Sequence, residues 1–131
     1  MTANALTNLI LLAIPRDIPG ARAWRSNQGG AYPMAPVQAA LRARSLAECI
    51  AILRAARPVR FGLPGLPDID GFLPTGQRLG VEIKVAHDKL SADQLAVQKQ
   101  YNIAGCVYVV ATDGVADPVG TCLQAIRERM V

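Results

Sequence analysis

Leu79-Gly-Val-Glu-Ile-Lys-Val85 is the stretch on which the fold turns. Side chains alternate between the two faces of a strand, so Val81, Ile83 and Val85 take one face while Glu82 and Lys84 share the other. Downstream, Ser91-Ala-Asp-Gln94 has the spacing of a capping box and opens a helix that runs to about Ala104, where Gly105 ends it. Cys106-Val-Tyr-Val-Val-Ala111 follows as a near-continuous apolar run, the pattern of a strand buried on both faces. Strand, crossover helix and strand together predict a parallel pair. Upstream, residues 68–73 read as another strand, joined to 79–85 by a hairpin turn at Pro74-Thr-Gly76. The Gly- and Pro-rich loop Phe61-Gly-Leu-Pro-Gly-Leu-Pro67 leads directly into Asp68.

The flanking segments are mostly helical. Residues 3–13 place Leu6, Leu9, Ile10 and Ala13 on one stripe, and Pro15 is expected to end that helix in a loop reaching Gly20. Ala21–Ser26 reads as a short strand closed by a flexible turn, Asn27-Gln-Gly-Gly30. Pro36 suits the first turn of a helix over Val37–Ala43. Ser45-x-x-Glu48 predicts a capping box for a second helix with Leu46, Cys49, Ile50 and Leu53 on its face, stopped by Pro58. Asp117-Pro118 opens the last helix, with Val119, Cys122, Ile126 and Met130 as its stripe. The expectation is one α/β domain over residues 1–131, a mixed β-sheet flanked by helices, with a helical insert at about 31–58.

With 131 residues, 51% hydrophobic and 18% charged, the chain is long and apolar enough to fold around a core without metal or disulfide staples. Cys49, Cys106 and Cys122 fall in no zinc or redox spacing and read as small buried thiols of a reducing compartment. The run Leu9–Ile14 is too short to span a bilayer and no basic segment precedes it, so a cytoplasmic protein is expected. The net charge of +4 rests on eleven arginines and three lysines, a balance suited to a polyanionic partner. Arg42, Arg44, Arg54, Arg57 and Arg60 cluster in one stretch, either a solvated helix face or phosphate contacts.

Asp68 and Glu82 on adjacent strands stand about 5 Å apart, close enough to share one hard cation. The backbone carbonyl of Ile83, between Glu82 and Lys84, adds a third oxygen ligand. Mg²⁺ or Mn²⁺ bound in this way, with open positions, offsets the charge of a phosphodiester and deprotonates a water. Lys84 beside it orients that water or offsets transition-state charge. On spacing alone, Glu82 and Lys84 are equally the wet face of a strand and Asp68 a turn residue. Asp70 shares the parity of Asp68, as a spare ligand or a solvated edge residue. His87, the sole histidine, reads as a solvated loop residue.

Pro67-Asp68, thirteen residues, then Glu82-x-Lys84 resembles the signature of the PD-(D/E)XK nuclease superfamily. The longer string Gly65-Leu-Pro-Asp68-Ile-Asp-Gly71, Gly80-Val-Glu-Ile-Lys-Val85 and Leu90-Ser-x-x-Gln94 is similar to its VRR-NUC branch, whose stand-alone members are common in phages and their bacterial hosts. Arg25-Ser-Asn27-Gln-Gly29 resembles the branch's arginine-asparagine-glycine segment after its first strand.

The resemblance implies a restriction-endonuclease-like fold and a metal-dependent DNA endonuclease. Asp68 and Glu82 would be ligands of Mg²⁺ or Mn²⁺, Lys84 the catalytic lysine, and Gln94 a site residue from the following helix. As the third residue of a capping box, Gln94 also has a purely structural reading, bonding back to Ser91. Arg25, Asn27, Arg60 and Lys89 are the candidate nucleic-acid contacts. Small relatives resemble structure-specific nucleases, including Holliday-junction resolvase-like dimers, so branched DNA and a homodimer are the implied partners. One departure stands out: relatives often carry a glutamate on the first helix, and residues 3–14 contain no acid. A catalytically inactive nucleic-acid-binding module of the same fold is the alternative.

Overall fold

The computed structural model describes residues 1–26 and 29–131, and of residues 29, 30, 60 and 61 the backbone alone. In chain order the elements are α1 (Ala3–Asp17), β1 (Arg22–Arg25), β2 (Gly29–Ala31), α2 (Met34–Leu41), α3 (Leu46–Ala55), β3 (Val59–Phe61), β4 (Ile69–Phe72), β5 (Arg78–Lys84), α4 (Ala92–Ile103), β6 (Val107–Thr112) and α5 (Pro118–Arg129). They fall into two compact units, Met1–Ser26 with Pro64–Val131, and Asn27–Leu63.

The larger unit is built on a four-stranded mixed sheet in the order β1-β4-β5-β6. β4 pairs antiparallel with both β1 and β5, and β6 runs parallel to β5 as the crossover through α4 requires. Alternation then sorts the side chains. Ile69, Leu79, Val81, Ile83, Val107, Val109 and Ala111 join Leu6, Ile10 and Ile14 of α1 and Cys122, Leu123 and Ile126 of α5 in one buried core. Burial pushes the Cys122 thiol up to about 12, so it packs as a small hydrophobe. On the opposite face α4 lies over β5 and β6. Gly80 of β5 makes this approach possible, because a Cβ there would sit 2.8 Å from the Tyr101 ring and 2.7 Å from Pro67.

Two local features differ from the sequence expectation. The first helix does not stop at Pro15 but continues through it to Asp17. A proline in the last turn forfeits only one helical hydrogen bond, and the turn still closes by Ile18 N–H donating to the Ile14 carbonyl at 2.9 Å. Ile14 and Ile18 are thereby driven into the core, whereas Leu9 stays 45% exposed. In the smaller unit α2 begins three residues before the expected position, and β2 and β3 form a two-stranded antiparallel sheet where a flexible turn and a loop were expected. The capping box at α3 is only half formed. Ser45 accepts from Glu48 N–H, but the Glu48 carboxylate reaches one residue further back, to Arg44 N–H. Within the described residues no helix is long and apolar enough to cross a membrane.

At the start of α5 the Asp117 carboxylate accepts from Gly120 N–H at 2.9 Å. Asp117→Ala strands that donor at the end of a helix that fills the core. The expected cost is about 1 kcal/mol, read as a lower urea midpoint with an unchanged slope.

Candidate active site

Asp68 lies one residue before β4, directly opposite Glu82 when the Ile69–Val81 register is continued. Leu73 N–H donates to Gln77 O in the same hairpin, which makes the odd-numbered positions of β4 the hydrogen-bonded pairs. Asp68 and Glu82 therefore form a non-hydrogen-bonded pair, the closer of the two kinds, with Cα atoms about 4.5 Å apart. The Asp68 backbone is pinned by Ser26 N–H, which donates to its carbonyl at 2.8 Å. Its side chain is pinned as well, since Oδ2 accepts from Ile83 N–H at 2.8 Å. N–H and C=O of one strand residue point to the same side, so the Ile83 carbonyl also faces the Asp68 edge.

Glu82 is the decisive group. It is 2% exposed, a burial that a carboxylate seldom suffers without purpose. Oε1 takes two partners, the Lys84 ammonium at 3.3 Å and the Gln94 side-chain amide. Oε2 is buried and has no hydrogen-bond partner. Burial, and then the charge of Asp68, push the Glu82 carboxyl from 4.5 up to about 7, against the pull of Lys84. Two facing carboxylates and one orphaned buried oxygen are what a hard cation satisfies.

Gln94 fills both of its candidate roles at once. Its Oε1 accepts from Ser91 N–H at 2.9 Å and its backbone N–H donates to Ser91 Oγ at 3.2 Å, a complete capping box. The same side chain turns its Nε2 onto Glu82. The cap thus fixes the rotamer that holds the carboxylate. Gly65, at φ +85°, lets the Gly-Pro loop lie against this first turn of α4 and bring Pro67 and Asp68 beside it.

Other candidates fall elsewhere. Arg25 sits on the face opposite Asp68, where Asn8 Oδ1 holds its guanidinium at 2.8 Å. Lys89 and His87 are exposed in the segment between β5 and α4. Asn27 lies outside the described residues, as does the side chain of Arg60. Asp70 is neither a ligand nor merely solvated: Arg78 grips it with two hydrogen bonds, at 2.6 and 3.0 Å, and lies 5.6 Å from the centre of the Tyr101 ring. Over residues 3–14 α1 offers Thr7 and Asn8 rather than an acid, and Thr7 Oγ1 is spent on the Ala3 carbonyl at 2.7 Å; the one carboxylate of the helix, Asp17 in its last turn, is paired with Arg16. Among the described residues no group of three or more His, Cys, Asp or Glu side chains gathers. Mg²⁺ is commonly held by one or two carboxylates with several retained waters, so the pair plus a carbonyl suits it.

Two residues near the site escaped the sequence expectation. Tyr108 of β6 stands opposite Gly80, and its ring meets Tyr101 of α4 edge-on, with centres 5.4 Å apart. Both hydroxyls are buried and unpartnered. Burial first, then the charges of Glu82 and Asp68, hold the Tyr108 phenol well above its usual range. In sequence Tyr108 lies in an unbroken apolar run, where no alternation marks the face it occupies. No protein-family model, no curated protein and no solved structure matches this chain.

Proposed function

We propose that this chain is a divalent-metal-dependent DNA endonuclease with a restriction-endonuclease-like fold of the VRR-NUC type. The observation that carries this is Glu82: a buried carboxylate opposite Asp68, paired with Lys84, with one oxygen left without a partner. Asp68, Glu82 and the Ile83 carbonyl would hold Mg²⁺ or Mn²⁺. When bound, such an ion neutralises phosphate charge and supplies a deprotonated water.

The chain's own groups do the rest. Ile83 N–H engages one oxygen of Asp68 and leaves the other for a ligand. Gln94 and Lys84 both hold Oε1 of Glu82 and leave Oε2 for a ligand. The Lys84 side chain is only 13% exposed, so its ammonium acts from a partly desolvated position on charge that develops at the phosphate. A branched junction requires two coordinated cuts, and a homodimer would supply the second site.

The lack of an acid over residues 3–14 of α1 favours one other reading, a nucleic-acid-binding module without catalysis. Cleavage of labelled four-way junction, flap and duplex DNA in Mg²⁺, Mn²⁺ or EDTA separates the two. Metal-dependent cutting is expected, falling about a hundredfold or more in Lys84→Ala. Salt-sensitive binding with no cutting in either metal would instead establish the binding module.

A further inference from the structure

The face of the sheet that carries Asp68 and Glu82 continues beyond them. Register places Trp24 opposite Asp70 and Arg22 opposite Phe72, which in turn faces Arg78. Alternation puts all of these on the same face as the two carboxylates. α4 covers the β5–β6 half of this face. The β1–β4 half stays open, with Trp24 47% and Phe72 49% exposed. Their rings meet edge to face, with centres 5.9 Å apart and planes at 64°.

We infer that Trp24 and Phe72 form a stacking platform for an unpaired nucleobase beside the site, with exposed Arg22 as the phosphate contact. This rests on the proposed nuclease function and narrows its substrate to DNA with unpaired nucleotides next to the cleaved bond. Two strand positions and one interstrand spacing put the Trp24 backbone about 8 Å from that of Asp68, within reach of a neighbouring nucleotide. The T-shaped contact holds the rings in place before a ligand arrives, so little side-chain freedom is lost on binding. The charge also fits. Asp70, the acid nearest Trp24, is neutralised by the two-pronged grip of Arg78, leaving Arg22 as the net charge of the patch. A base inside continuous duplex is stacked on both faces, whereas an unpaired one has a face to offer an aromatic ring.

Trp24 is the chain's single tryptophan and reports directly on its own environment. The full chain in EDTA is titrated with single-stranded oligodeoxythymidine, a flap-bearing duplex and a blunt duplex, following tryptophan fluorescence and the anisotropy of labelled DNA. Single strand and flap are expected to quench Trp24 and to bind more tightly than blunt duplex. Trp24→Ala should weaken binding of those two about tenfold or more and leave the duplex unchanged, while Trp24→Phe restores most of the loss. Thermal melting of both variants verifies that they are folded. Binding without quenching, or equal losses on all three ligands, overturns the platform and leaves the nuclease proposal standing. Quenching and selective loss without any metal-dependent cleavage would keep the platform and sink the nuclease. No binding to any of the three DNAs overturns the platform, and the nuclease then stands or falls on the metal-dependent cleavage assay alone.

Discussion

Glu82→Gln is expected to abolish cleavage and, in the metal-free protein, to raise stability above pH 7 by about 3 kcal/mol. Both effects have one cause. Burial, reinforced by Asp68, lifts the Glu82 carboxyl from 4.5 to about 7. In the unfolded chain the same group titrates at its ordinary value. Between these two values the folded protein keeps a proton that the unfolded chain has released, so stability falls as pH rises through that window and is level above it. At about 1.4 kcal/mol per pH unit, the gap gives the stated order of magnitude. Glutamine carries no charge to bury, and its amide can take the place of the carboxylate. Urea unfolding in EDTA from pH 4.5 to 8.5 checks this: the wild-type midpoint should decline toward pH 7 and the variant's should not. Parallel curves would mean that the buried carboxylate carries no such cost. Added Mg²⁺ should stabilise the wild type at pH 8 and leave Glu82→Gln nearly unmoved, because the cation binds the form that the fold disfavours.

The parts of this fold that were legible in the sequence share a physical trait: their periodicity is local. The Leu79–Val85 alternation, the Ser91–Gln94 box and the apolar Cys106–Ala111 run each announce an element, and together they gave the β5-α4-β6 crossover. Pro15 misled because a proline's cost depends on which hydrogen bond it deletes, and in a last turn packed through Ile14 and Ile18 that cost is small. Gly29 and Gly30 misled because strand residues without side chains show no alternation to read. At the site, Glu82 and Lys84 could be named from strand parity and Asp68 from its place one hairpin upstream, while the spacing of Gln94 announced only a cap and its site role came from the family resemblance. The Arg78–Asp70 pair could not, because it depends on the cross-strand diagonal fixed by the hairpin register. Trp24 and Phe72 likewise become neighbours only through the β1–β4 pairing, a long-range choice that no local window contains.

Gly65→Ala should damage the site from outside it, by about 2–5 kcal/mol of stability together with weakened metal affinity. At φ +85° an alanine already pays about 1–2 kcal/mol for the left-handed backbone. Its Cβ would also lie 2.4 Å from Asp93 C and 2.8 Å from Gln94 N, and these are backbone atoms of a capped first turn that cannot swing aside. Overpacking of this kind adds about 1–3 kcal/mol, or else the loop lifts away from α4. Lifting it carries Pro67 and Asp68 away from Gln94 and so separates the halves of the site. Gly76 supplies the control. Its φ is +86°, yet a Cβ there meets nothing within 4 Å, so Gly76→Ala incurs the backbone strain alone. Thermal melting should rank the two variants in that order. Mn²⁺ titration by calorimetry should show weakened binding in Gly65→Ala and unchanged binding in Gly76→Ala. Equal metal affinities would mean that Asp68 keeps its place without the close approach of loop and helix, and that the Ile83 N–H bond alone positions the carboxylate.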